Sequence, residues 1–69
     1  MEPGVRTQVE ALEAAGYFVS LGERLDGSWW AVARKDSREI RAVSGRTCLE
    51  AVTELLRVLG FERPAEPQR

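Results

Sequence analysis

Two glutamates, Glu50 and Glu54, stand four positions apart in a stretch of helical period, so one helical turn separates two carboxylates. Such a pair can share a proton or ligate a hard cation, provided further ligands converge on it. The sequence supplies no obvious third member. Histidine is absent, and Ser20, Ser28, Ser37 and Ser44 therefore lack the usual base that would activate a hydroxyl. The single cysteine, Cys48, can neither close an internal disulfide nor make a metal site by itself. It falls in the first turn of a helix, between Thr47 and Leu49, where it reads as a small buried apolar side chain. The glutamates read as a solvated face. No catalytic residue, metal ligand or cofactor site is assigned, and the chain is expected not to be an enzyme.

Two other groups of residues could bind rather than react. Trp29 and Trp30 are adjacent in a β-prone run, so they must point to opposite faces of a sheet and cannot both enter one core. Whichever indole faces outward could anchor a partner protein, because binding energy concentrates on aromatic residues, or it could lie under the N-terminal arm or a long arginine. Between positions 34 and 46 lie Arg34, Lys35, Arg38, Arg41 and Arg46 against Asp36 and Glu39, a local balance of +3. This patch could contact phosphates, or it could be a solvated edge strand protected by its charges.

The chain as a whole is 69 residues long with ten basic and 11 acidic residues, for a formal net charge of -1. A general cationic field for nucleic acid or anionic membrane is thereby excluded. Hydrophobic residues at 43% are enough for a packed core, but one of this size leaves apolar burial and chain entropy nearly in balance. Association with a second copy would tip it. With no run of 18 apolar residues and one cysteine, the expected setting is the cytoplasm, without a membrane span.

The elements that position these residues follow from periodicity. Val5, Val9 and Leu12 repeat at helical spacing, and Gly16 ends that helix. From Tyr17 the period changes to two, with Tyr17, Val19 and Leu21 against Phe18, Ser20 and Gly22. Asp26-Gly27 marks a hairpin turn, and a second strand runs from Ser28 to Lys35. Its two sides are Trp29, Ala31, Ala33 and Trp30, Val32, Arg34. Asp36-Ser37 makes a second turn without glycine, followed by a strand from Arg38 to Ser44 with Ile40, Ala42 and Ser44 against Arg41 and Val43. Thr47 and Glu50 have the form of a capping box, and Leu49, Val52, Leu55, Leu56 and Leu59 then build an apolar helical stripe that Gly60 closes. The predicted fold class is α+β, a helix, a three-stranded antiparallel meander and a helix, with both helices on one sheet face. One domain spans residues 5–62, between a flexible start at 1–4 and a disordered tail at 63–69.

Two resemblances attach to these residues. Over about residues 5 to 60 the order of elements resembles the double-stranded-RNA-binding domain in topology, which implies nucleic-acid contact; here Arg34, Lys35, Arg38, Arg41 and Arg46 would make it. Over residues 17 to 60, Gly27, Trp29, Trp30, Ala31, Val32 and Ala33, followed by Gly45-Arg46-Thr47-Cys48-Leu49-Glu50-Ala51, resemble the HicB-like antitoxin fold. That likeness implies a small protein partner, such as a toxin. The sequence thus predicts a non-catalytic interaction module that dimerises or holds a protein through its sheet, with Phe18, Trp29, Trp30, Ile40 and Val43 as contact residues. Weak nucleic-acid binding by the arginine patch is the alternative.

Overall fold

A computed structural model describes residues 3–61 of the chain. Its elements are α1 (Pro3–Ala14), β1 (Phe18–Glu23), β2 (Trp29–Lys35), β3 (Arg38–Gly45) and α2 (Cys48–Val58). The strands form one antiparallel sheet in the order β1-β2-β3. This is the expected α+β meander between two helices. The tail at 63–69 lies outside the described residues. At the other end α1 starts at Pro3, within the start expected to be flexible, and residues 1–2 of that start lie outside the described residues. Proline suits a first helical turn, where an amide would have no partner anyway.

The two helices end in the same way. At α1, the Gly16 amide donates to the Glu13 carbonyl (2.9 Å) and the Tyr17 amide to Leu12 (3.0 Å). At α2, the Gly60 amide donates to Arg57 (3.1 Å) and the Phe61 amide to Leu56 (2.8 Å). Both are Schellman motifs, and both need a left-handed residue, met by Gly16 at φ 98° and Gly60 at φ 87°. The aromatic residues just beyond them meet, with the Tyr17 and Phe61 rings 6.0 Å apart at 74°. Identical endings thereby pin the helix C-termini together over the sheet.

Both expected hairpin turns form, and their loops differ in length. Asp26-Gly27 is not a two-residue turn: the Arg24 amide donates to Ser28 and the Gly27 amide to Arg24, enclosing the three-residue loop 25–27 with Gly27 at φ 90°. The Asp26 carboxylate accepts from the Ser28 amide (2.9 Å) and hydroxyl (2.7 Å), which holds it below the ordinary aspartate range. The tighter hairpin is the one without glycine. Lys35 pairs with Arg38 around Asp36 and Ser37, whose φ angles of 54° and 64° are both left-handed.

The core lies between the helices and one sheet face. Leu12, Leu55, Ala31, Ala33 and Ala51 form its fully buried centre, and Val5 and Val52 are buried as well. Half-buried Tyr17, Val19, Leu21, Trp29 and Val43 from the sheet side surround it. Alanines on β2 let the helices settle close. Closest of all is Gly45, where an added Cβ would lie 2.5 Å from the Ala51 amide nitrogen. The first turn of α2 therefore rests directly on the end of β3.

Candidate functional site: the open face of the sheet

Strand register sorts the outward residues into three rows. Gly22, Trp30 and Ser44 form one end, Ser20, Val32 and Ala42 the middle, and Phe18, Arg34 and Glu39 the other end. No helix among the described residues covers this side. Phe18 is 71% exposed, while Trp30 and Val32 are half-buried among their strand neighbours. The Trp30 indole lies flat over Gly22: a Cβ built there would fall 2.2 Å from Cζ2 and 2.7 Å from Nε1 of the ring. Glycine is required under the indole for that reason. The face thus has a flat aromatic plate at one end, small side chains across the middle and a projecting phenyl ring at the other.

Of the five contact residues expected from sequence, the structure brings together two and separates three. Phe18 and Trp30 share the open face. Trp29 and Val43 face the helices and pack against the core, so as outward contacts they are replaced by Val32 and Ala42. Alternation required opposite sides for the two tryptophans; the alanines that admit the helices share Trp29's side and decide which indole is inside. Ile40 is 41% exposed but stands outside the pairing, because the register passes from Ala33↔Arg41 to Arg34↔Glu39. That bulge breaks the expected alternation of Ile40 with Ala42, and Glu39 takes the place opposite Arg34. Sequence reasoning also missed Leu25, fully exposed at the tip of the loop beyond the Trp30 end. It was hidden by the polar turn signal around it.

The five basic residues do not converge either. Arg34, Lys35 and Arg38 surround the Asp36-Ser37 hairpin, where Asp36 and Glu39 offset two of their three charges. Lys35 is engaged inward, its Nζ 4.7 Å from the centre of the Tyr17 ring. Arg41 pairs with Ala33 on the helix side of an exposed edge. Arg46 is at the far end of β3, where its side chain approaches Glu50 (3.7 Å) and its amide donates to the same carboxylate (2.7 Å). A shallow cleft lined by Gly16, Phe18, Arg34, Lys35, Asp36 and Ser37 marks the hairpin end.

Glu50 and Glu54 are both engaged within their own helix end. Thr47 caps α2 by accepting from the Glu50 amide (3.0 Å), and Glu50 returns the bond one residue further out than a standard capping box, to Arg46 rather than Thr47. Glu54 accepts two hydrogen bonds from the Arg57 guanidinium, which lowers its pKa. Among the described residues no three His, Cys, Asp or Glu side chains come together as a metal site would need. Cys48 is half-buried rather than enclosed. No helix among the described residues is long and apolar enough to cross a membrane. Comparison of the chain with protein-family models, with curated proteins and with solved structures returns no match, so neither the HicB-like nor the double-stranded-RNA-binding resemblance gains support there.

Proposed function

We propose that this chain is a non-catalytic interaction module that holds a protein, a second copy or a small partner, against the open face of its sheet. One observation carries the reading: β2 is apolar on both sides from Trp29 to Ala33, yet the described residues cover only one side. Antiparallel strands with one wet face ordinarily alternate apolar with polar residues, and continuous apolar strands belong between two layers. The missing second layer is the partner. An exposed Phe18 at one end of the face and the Trp30 plate at the other supply the aromatic anchors that such contacts favour. A cytoplasmic setting suits a chain with one cysteine and no disulfide.

The nucleic-acid alternative has less behind it, since the basic residues are spread along β3, with Arg34, Lys35 and Arg38 at the hairpin, Arg41 mid-strand and Arg46 at the far end. A photo-crosslinking amino acid placed at Phe18, and separately at exposed Glu10 on α1, tests the proposed surface in cells expressing the chain. Covalent protein adducts are expected from position 18 and not from position 10. Absence of any adduct at position 18 would overturn the reading.

A further inference from the structure

We infer that the occupant of the open face is a second copy of this chain, packed face to face about a two-fold axis that runs across the strands. The inference rests on the docking role proposed for that face and names its partner. Charge selects the kind of partner. Among the strand residues of the face, Arg34 and Glu39 are the charged ones, and they stand opposite each other. A nearly neutral surface neither draws a polyanion nor repels its own copy.

The position of Arg34 then selects the axis. Two in-plane rotations lay such a sheet on itself with the strands roughly aligned. An axis along β2 would set Arg34 against Arg34 of the second copy, two like charges losing water together. An axis across the strands, through the row of Ser20, Val32 and Ala42, reverses the ends. Phe18 of each copy then lies over Gly22 of the other, and Arg34 over Trp30.

Those are complementary surfaces. Gly22 is roofed by the Trp30 indole, so the projecting phenyl ring lands on an aromatic plate, and the guanidinium approaches the same π-face. Every such contact occurs twice. The small side chains of the middle row allow the sheets to approach the usual separation of about 10 Å. Three strands, the shortest of 6 residues, make a patch of only about 20 by 14 Å, well short of the roughly 800 Å² per partner of a standard interface. The dimer is therefore weak and reversible, with a dissociation constant of about 10 to 100 μM.

Sedimentation equilibrium of the whole chain from about 5 to 500 μM tests this, the expected result being a monomer to dimer transition within that range. Val32 lies on the axis and faces its own copy, so Val32→Arg and Val32→Glu should each be monomeric alone and form a one-to-one heterodimer when mixed. Thermal melts of both variants establish that they fold; Phe18→Lys, at an exposed position, removes the dimer if either does not. A chain monomeric throughout, a dimer that survives these substitutions, or no pairing of the folded Arg and Glu variants overturns the inference. Crosslinks from position 18 to other proteins alone would sink self-docking while leaving the docking face intact, whereas no crosslinks at all would sink both.

Discussion

The two faces of the sheet are built from the same three strands and differ in what the side chains were selected to meet. On the helix side, Ala31 and Ala33 recede and Leu12 and Leu55 fill the space above them, all fully buried. On the open side the same strand offers Trp30, Val32 and Arg34, and its neighbour contributes Phe18 at 71% exposure. Apolar character alone thus does not tell a core from a docking surface. What differs is placement: Ala31 and Ala33 recede beneath the helices at the centre of the inner face, whereas Phe18 projects from the outer one.

Truncation on each face gives the sharpest test of that contrast. Leu55→Ala removes a fully buried side chain from the centre of the core and is expected to cost about 3 kcal/mol, enough to threaten a domain this small. Val32→Ser on the open side should cost well under half of that in dilute solution. Urea denaturation of both variants at low micromolar concentration measures the difference. Equal losses would mean that the open side is already packed within the monomer.

The glycines of the two faces extend the comparison. Gly45→Ala would drive a Cβ into the backbone of Ala51, which cannot yield without moving α2, so a loss of about 1 to 3 kcal/mol is expected. Gly22→Ala collides instead with the Trp30 ring, a side chain that can swing outward. Its stability should change by less than about 1 kcal/mol, while the tryptophan emission shifts to the red as the Trp30 indole lifts off Gly22. Fluorescence and melting of the two variants separate the outcomes. Loss of fold in Gly22→Ala with no prior change in emission would contradict the picture of a mobile plate over a rigid sheet.

Much of this architecture was legible beforehand, and the parts that were not share a cause. Helix ends were readable because Gly16 and Gly60 supply the left-handed residue that each Schellman motif needs, and Thr47 announces its own cap. Alternation placed Trp29 and Trp30 on opposite faces but could not say which was inward, since that depends on where the helices land. The landing is fixed by Gly45 at the end of β3, a contact between segments that no local pattern displays. The bulge at Ile40 was invisible for a related reason: it reconciles the β2-β3 register with the hairpin at Asp36-Ser37, and neither carries a glycine. The site was legible as Phe18 and a tryptophan, and alternation already set Val32 beside Trp30; Ala42, on the neighbouring strand, needed the register.

That hairpin also permits a stabilising prediction. Asp36 and Ser37 both occupy the left-handed region, which L-residues with a Cβ enter at a cost and glycine enters freely. Ser37→Gly should raise stability by about 1 kcal/mol without touching either sheet face. A rise in the urea midpoint with an unchanged dimerisation constant is the expected result. An altered constant would tie the turn to the docking surface, whose Phe18 and Arg34 line the same cleft.

The smallest expected effect comes from the turn at the other end, and its sign can be worked out. Asp26 accepts first from the Ser28 amide and also from its hydroxyl, and these bonds favour the ionised carboxylate, so its folded pKa lies below the ordinary value of 3.8. A depressed folded pKa means that the contribution is fully present above the unfolded value and fades as pH falls through the folded one. At neutral pH the turn is therefore intact, and acidification below about pH 4 weakens it. Because Asp26 is exposed at a hairpin tip, the loss should be slight and local rather than a global unfolding. Amide hydrogen exchange at Ser28 should accelerate relative to the amides of β2 as the pH is lowered through this window, after correction for the intrinsic rate. In Asp26→Ala, that acid-dependent difference should vanish; if it persists, some other group loosens the Trp30 end of the sheet.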